Sequence, residues 1–283
     1  MPTTPARSSA AASHAILADN AAGWLGAVVR RRSRRTYEQI RVDPVALHPL
    51  EELCDQWRPH PDCRMKLIAS PSVDVFTGVI GNYGKVVGAP HLLVFTGDTT
   101  SDFADQHVGY SGEAIMLEAT LRGLATCWVG GFFSAKRVSQ LLDLSSEERV
   151  FAVSPVGYAA SSESSTERTM AGLAGAHKRK SVAELAPALD QTWPQWAVAA
   201  VETARLAPSA VNRQPWRFRF EDGGLVIAKD SGFETPKVTK RLDIGIAMMH
   251  AELAALAHGV NGTWTDLRGS DVARFDPEGL ARP

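Results

Sequence analysis

Short apolar runs bounded by proline or glycine recur along the chain, and they predict buried strands. In the first half these runs are residues 65–69, 91–97 and 149–158. A further strand is predicted at 126–131, directly after a glycine-terminated helix. In the second half, two runs separated by Asp222, Gly223 and Gly224 predict a β-hairpin, since glycine tolerates the positive φ angles of such turns.

Segments with helical periodicity lie between the predicted strands. They cover residues 21–30, 49–57, 109–123, 193–206 and 243–258, with Pro49 expected at the start of the second helix. The first twenty residues are rich in Ala, Ser, Thr and Pro, which predicts a mobile tail. Helices and strands that alternate in this way predict a layered α+β or α/β domain.

The predicted helix, turn and strand around Gly123 recur 136 positions later. The matched pairs are Gly109 with Gly245, Leu117 with Leu253, Ala119 with Ala255, Gly123 with Gly259, and Trp128 with Trp264. Helices often end in glycine, so chance can produce part of this match. If the duplication is real, the chain is a dimer fused into one polypeptide. The polar stretch 161–175 divides the chain. We therefore predict a tail (1–20), a first half (21–176) and a shorter second half (177–283).

Composition and charge exclude several classes of protein. With 45% hydrophobic and 22% charged residues, the chain is long enough to bury a core without disulfides or metal. A net charge of -1 gives no overall attraction to nucleic acid or anionic membranes, so neither is expected as a partner. No apolar run reaches 18 residues, which predicts no membrane span. Three cysteines without a C-x-x-C pair indicate neither a disulfide framework nor a zinc site, and favour a cytoplasmic location.

The common dinucleotide, P-loop, hydrolase and zincin signatures are absent, which leaves two segments that carry candidate chemistry. The first is the arginine segment, residues 31–37, with the sequence Arg-Arg-Ser-Arg-Arg-Thr-Tyr. Guanidinium groups bind phosphate bidentately, so a phosphomonoester suits this segment. An extended turn would place Arg31, Ser33 and Arg35 on one side. The alternative is a solvated basic patch or a nuclear-type address.

The second is the asparagine segment, residues 207–216, with the sequence Ala-Pro-Ser-Ala-Val-Asn-Arg-Gln-Pro-Trp. A helix stops at Pro208, and short polar side chains lie between two prolines. Ser209 and Asn212 could simply cap helix ends or shape the turn, as such residues commonly do.

Together the two segments resemble the flavin-binding signatures of the nitroreductase family, the FMN-dependent NAD(P)H oxidoreductases. Residues 123–132, 154–159 and 177–185 agree with this resemblance, which covers most of residues 23–267. The asparagine segment usually follows the arginine segment closely in that family, whereas here it comes some 175 positions later. That order is similar to single-chain members with two degenerate halves. The resemblance implies an α+β fold in which one chain resembles an intertwined homodimer.

The resemblance also implies roles for individual residues. Arg31 and Ser33 would hold the FMN phosphate, helped by Lys178 or Arg179, and Arg35 would approach the pyrimidine edge of the ring. Gly130 and Gly131 would let a main-chain amide reach flavin N5. The full set assigned to the cofactor is Arg31, Arg32, Ser33, Arg35, Gly130, Gly131, Lys178, Arg179, Pro208, Ser209 and Asn212.

Other residues near these segments are expected to have structural roles. Gln214 and Trp216 are expected to shape the turn and pack beneath the site. Cys127 is expected in the core, and His250 is expected as a core histidine with satisfied hydrogen bonds. No side chain is assigned as a catalytic acid or base, because the flavin would carry the chemistry. No metal is expected.

Each half is expected to keep a different part of the site, so the chain would bind one FMN and not two. The positions equivalent to Gly130 and Gly131 in the second half are Asp266 and Leu267. The second half therefore lacks the two glycines, which also indicates a single FMN site. The function implied is hydride transfer from NADH or NADPH, through FMN, to a small electron-poor acceptor such as a nitroaromatic or quinone. The alternatives are an FMN-sequestering protein with little turnover and, less favoured, a nucleic-acid or partner-binding module that uses the arginine run.

Overall fold

The structure, a computed structural model, describes residues 5–71, 73–76, 86–161, 178–235 and 237–279. The helices are α1 (Pro5–Arg30), α2 (Pro44–Gln56), α3 (Ala104–Leu121), α4 (Ala135–Ser139), α5 (Val182–Leu185), α6 (Gln195–Ala204) and α7 (Lys240–Ala257). The strands are β1 (Cys63–Ala69), β2 (His91–Asp98), β3 (Ala125–Thr126), β4 (Glu148–Gly157), β5 (Trp216–Glu221), β6 (Gly224–Lys229), β7 (Gly262–Asp266) and β8 (Asp271–Pro277). Most of the predicted divider at 161–175 lies outside the described residues.

Two antiparallel sheets with equivalent strand orders form the frame of the molecule. The first is ordered β1-β2-β4-β3 and the second β5-β6-β8-β7, so each strand of one sheet has a counterpart in the other. The predicted hairpin between β5 and β6 turns at Asp222 and Gly223, both with positive φ. This repeat, together with the helices packed between the sheets, confirms the predicted α+β, internally duplicated fold.

The central helices α3 and α7 pack against each other between the two sheets, and almost every residue of both is buried. A Cβ atom on Gly109 would overlap the Leu242 carbonyl oxygen, and one on Gly245 would overlap the Gln106 carbonyl oxygen. These two contacts are related by the same shift of 136 positions. The seam between the halves is therefore pseudo-symmetric, and both glycines are required for the helices to approach so closely.

Three boundaries differ from the sequence predictions. Helix α1 begins at Pro5 and not near Ala21, and Ser13 and Leu17 are buried, so the mobile tail predicted for residues 1–20 is wrong where the helix packs. Helix α2 begins at Pro44, because the Asp43 carboxylate caps the Val45 amide at 2.9 Å. Pro49 consequently lies inside the helix. The strand predicted at 126–131 forms only as the short β3, followed by an isolated bridge at Val129.

An ionic cluster joins the halves at the N-terminal end of α3. His107 Nδ1 lies 2.7 Å from an Asp62 carboxylate oxygen of the first half, and Nε2 lies 2.9 Å from Asp266 of the second. The His60 ring stacks on His107 at a centroid distance of 3.7 Å. Burial lowers the His107 pKa, but the hydrogen bonds and charges of Asp266 and Asp62 outweigh burial and raise it to about 9. Burial and the neighbouring His107 lower the His60 pKa to about 4.

This cluster predicts a loss of stability at alkaline pH. The folded-state pKa of His107 lies above the unfolded value near 6.5, so its contribution is complete below that value and is lost as pH rises through about 9. The loss is on the order of 3 kcal/mol. Urea unfolding of the protein at intervals between pH 6 and 10 should show it. His107→Gln, which cannot titrate, should flatten that part of the profile, and an equally steep profile in the variant would contradict the assignment.

Within the described residues, no helix is long and apolar enough to cross a membrane. Cys54, Cys63 and Cys127 are buried free thiols.

Candidate cofactor site at the seam

The arginine segment leaves the end of α1 in an extended conformation and runs beside β3. Ser33 forms a parallel bridge with Thr126, and the Arg34 amide donates to the Thr126 carbonyl at 2.9 Å. The Arg34 guanidinium turns the other way and donates to the Ala160 carbonyl. Arg31 instead donates to the Ser33 hydroxyl at 3.4 Å, so these two side chains lie together. This arrangement agrees with the sequence prediction that Arg31 and Ser33 lie on one side of the segment.

Arg31 is a buried cation, since its side chain is only 5% exposed, and nearby groups compensate its charge only in part. Its Nε lies 3.8 Å from the Glu113 carboxylate and makes no hydrogen bond within the described part of the chain. Burial lowers the Arg31 pKa, and the nearby Glu113 partly opposes that effect. The Thr126 hydroxyl is buried as well, and no group in the described ranges forms a hydrogen bond with it. Buried donors of this kind are costly to leave unpaired, so the pair suits an acceptor-rich ligand.

Glu113 connects this cation to both halves of the molecule. Its carboxylate accepts a hydrogen bond from Trp128 Nε1 at 2.7 Å and lies 2.9 Å from His250 Nε2. His250 is fully buried, and its Nδ1 lies 3.3 Å from the Thr203 carbonyl oxygen. His250 is therefore the core histidine with satisfied hydrogen bonds that the sequence predicts.

The asparagine segment folds into a tight turn between α6 and β5. Val211, Asn212 and Gln214 all have positive φ, which is uncommon for residues with a side chain and rare for a β-branched one. The Ser209 hydroxyl accepts from the Gln214 amide at 2.9 Å. The buried Asp243 carboxylate accepts from the Ala210 amide at 3.0 Å and from Arg213 Nε at 2.7 Å. Tertiary contacts thus hold the backbone in a strained conformation.

Arg179 contacts the asparagine segment and lies within electrostatic range of the arginine segment. It donates to the Asn212 side-chain oxygen and, at 3.2 Å, to the Leu206 carbonyl. Burial, together with the charges of Arg31, Arg32 and Arg205, lowers the Arg179 pKa to about 10. Residues from both halves therefore create a concentrated positive field beside Asn212. Such a field favours a ligand with more than one negative charge.

The loop at Gly130 and Gly131 is crossed by the chain that leads into α7. A Cβ on Gly130 would lie 2.6 Å from Val238 Cγ2, and one on Gly131 would lie 3.2 Å from Lys237 Cβ. The absence of side chains at both glycines therefore leaves room for this close approach of two parts of the chain. Among the described residues, neither glycine amide has a hydrogen-bond acceptor. Both amides remain available as donors.

A family profile described as "Putative TM nitroreductase" matches residues 25–255. The chain belongs to this nitroreductase family. No curated protein matches it. A nitroreductase structure from Thermotoga maritima MSB8 has 20% identity and a TM-score of 0.54, and the alignment covers 89% of this chain and 92% of that one. This likeness shows a shared fold.

Two further structures are similar over about half of this chain. An FMN-dependent nitroreductase from Clostridium difficile R20291 has 18% identity and a TM-score of 0.38, with 49% of this chain and 88% of that chain covered. A nitroreductase with bound FMN from Bacteroides fragilis NCTC 9343 has 16% identity and a TM-score of 0.38, with 48% and 88% covered.

Several residues assigned to the cofactor from the sequence make contacts of another kind. Arg32 is exposed and donates to the Val29 and Arg31 carbonyls at the end of α1. Lys178 contributes its carbonyl oxygen, which accepts from Asn212 at 2.8 Å. Pro208 is buried. The backbone carbonyl oxygen of Arg35 accepts a hydrogen bond from the Val87 amide. Their roles toward a cofactor stay predictions.

Gln214 and Trp216 both make contacts within the protein. Gln214 Oε1 accepts from the Lys180 amide at 2.8 Å, and its Nε2 donates to the Lys178 carbonyl at 3.1 Å, so Gln214 shapes the turn. Trp216 is fully buried in the core. Cys127 is buried as well.

Sequence reasoning missed Glu113, Thr126 and Arg205. The charge of Arg205 lowers the Arg179 pKa. The Arg205 Nε is itself buried without a hydrogen-bond partner among the described residues. Glu113 offered one signal, an acidic residue within an otherwise apolar stretch of helix. A buried charge of that kind needs partners, and these come from distant parts of the chain.

Proposed function

We propose that this nitroreductase-family protein is an FMN-dependent oxidoreductase that oxidises NADH or NADPH and reduces a small electron-poor acceptor. Overall, NAD(P)H, a proton and the acceptor yield NAD(P)⁺ and the acceptor with two added hydrogens. Bound FMN supplies the chemistry, because its ring accepts a hydride from one substrate and passes two electrons to the other. The observation that carries the proposal is the arginine cluster beside Asn212, in which the buried Arg31 and the partly buried Arg179 lie between the two segments that resemble flavin-binding signatures.

The donor set fits FMN. A phosphomonoester presents several acceptor oxygens and between one and two negative charges. Arg31, which is buried, and Arg179, which is partly buried, would hold it, and Thr126 or Ser33 would add a hydroxyl donor. Ser209 and Asn212 would contact the ribityl chain or the ring. The amides of Gly130 and Gly131 would donate to the ring, where a fixed donor favours added negative charge.

The second copy of this arrangement supports a single cofactor per chain. Asp266, the counterpart of Gly130, holds His107 and accepts a hydrogen bond from Gln106. Arg268, the counterpart of Phe132, pairs with Asp102. An ionic network therefore occupies the positions that correspond to the glycine loop, and a carboxylate there would repel an electron-rich ring.

Cofactor content tests the proposal directly. Purified protein, reconstituted with excess FMN and passed through a desalting column, should carry close to one flavin per chain by absorbance. Anaerobic NADH or NADPH should then bleach the flavin, and a quinone or nitroaromatic should restore its colour. A ratio near two would contradict the single site. Flavin that stays oxidised under excess of both nucleotides would favour FMN sequestration, and a chain that retains no flavin would overturn the proposal.

A further inference from the structure

The segment between β6 and α7, residues 230–235 and 237–239, joins both parts of the candidate site. We name it the wall segment. Arg213, from the asparagine segment, donates to the Val238 carbonyl at 3.0 Å. On the other side, Lys237 Nζ donates to the Gly131 carbonyl at 3.0 Å. The wall segment thus spans the distance from the asparagine segment to the glycine loop.

Buried interactions fix the base of the wall segment and leave its outer part in solvent. Lys240 is 3% exposed and bonds the Asp230 carboxylate at 2.9 Å, while its own amide donates to Glu234. Phe233 is 77% exposed, although an aromatic ring of that size is usually buried. The wall segment therefore presents an aromatic side chain and a lysine from a fixed base.

Lys237 has capacity to bind an anion. An ammonium group has three donors, and Gly131 accepts one of them. The Phe132 ring lies 5.6 Å from the ammonium nitrogen, within the range of a cation–π contact. Within the described part of the chain, no Asp or Glu carboxylate pairs with Lys237. An unneutralised cation thus lies beside the loop whose amides are proposed to face the flavin ring.

We propose that Lys237 selects acceptors that carry a carboxylate or sulfonate next to the reducible group. This inference rests on the proposed function, because it places the acceptor over a flavin bound at the glycine loop. An aromatic acid would place its charged group at Lys237 and its ring against the aromatic surface of Phe132. Since Lys237 is exposed, solvent and salt screen the attraction, and the selectivity is modest and falls with ionic strength.

A pair of matched acceptors tests the inference. Anaerobic stopped-flow measurement with FMN-loaded enzyme would compare 4-nitrobenzoate with neutral 4-nitrobenzyl alcohol. In Lys237→Met, which keeps the side-chain length, kcat/KM for the acid should fall about three- to fivefold at low salt. The value for the alcohol should change by less than about 1.5-fold, as expected for a purely electrostatic contact. Lys237→Arg should restore the preference for the acid. Lys66→Met, which removes an exposed lysine from β1, is the matched control.

The outcomes separate this inference from the function on which it rests. If the FMN-loaded enzyme reduces a quinone but neither nitro compound, or if Lys237→Met lowers both values equally, the inference fails and the proposed function stands. An unchanged preference in Lys237→Met also overturns it. A protein that retains no FMN overturns both.

Discussion

Replacing Arg31 and Arg35 together with alanine is expected to abolish retention of FMN by the purified protein. Arg31 is buried and its Nε has no hydrogen-bond partner among the described residues, and Arg35 follows on the same extended segment. Each hydrogen bond to a charged group is worth about 1.5–3 kcal/mol, so the double change should weaken FMN by roughly a hundredfold or more. Flavin content after desalting and a fluorescence titration with FMN would measure the loss.

The control for this variant removes the same charge from another surface. Arg219 and Arg268 are both exposed, and they pair with Asp271 and Asp102 far along the chain from the arginine segment. Their double alanine variant should keep the full flavin content. Circular dichroism would establish that both double variants are folded. A folded Arg31→Ala, Arg35→Ala protein with undiminished flavin would refute the placement of the phosphate.

Gly245→Ala should destabilise the whole molecule, because its new Cβ would overlap the Gln106 carbonyl oxygen of the facing helix. Backbone cannot give way as a flexible side chain can, so the central helices must separate. Overpacking of this kind costs about 1–3 kcal/mol or more. Urea denaturation should show a clearly lower midpoint, and Gly109→Ala should behave alike because it makes the symmetric contact with Leu242.

A glycine in another helix provides a control of opposite sign. Gly26 lies within α1, where a Cβ would meet only the end of the Arg30 side chain at 3.8 Å. Alanine is the better helix former, so Gly26→Ala should raise stability by about 0.5–1 kcal/mol. If Gly245→Ala were as stable as Gly26→Ala, the close approach of α3 and α7 described above would be wrong.

Local pattern predicted those elements whose signals lie within a few residues of each other. The β5–β6 hairpin follows from a glycine turn between apolar strands, and α3 and α7 follow from long apolar segments. Helix α1 was predicted only in its last ten residues, because its first part is Ala- and Ser-rich with little amphipathic pattern. Burial of Ser13 and Leu17 against the rest of the molecule stabilises that part, and such burial cannot be seen from periodicity.

The α2 boundary illustrates a different difficulty. Two prolines, Pro44 and Pro49, can each serve as a first-turn residue. The Asp43 side chain decides between them by capping at Val45, and the helix then accommodates Pro49 in its interior. A sequence with two start signals in succession is ambiguous until the cap forms.

The amino-acid order alone was enough to indicate the family, the duplication and the two segments that carry the candidate chemistry, because each depends on residue identity at fixed spacing. Folding decided which charges meet. Glu113 faces Arg31 and His250, Arg179 reaches Asn212, and Lys237 crosses to Gly131, and each of these contacts joins residues distant in sequence. Electrostatic and packing energies depend on distance in space, and the tertiary fold sets the distances between these groups.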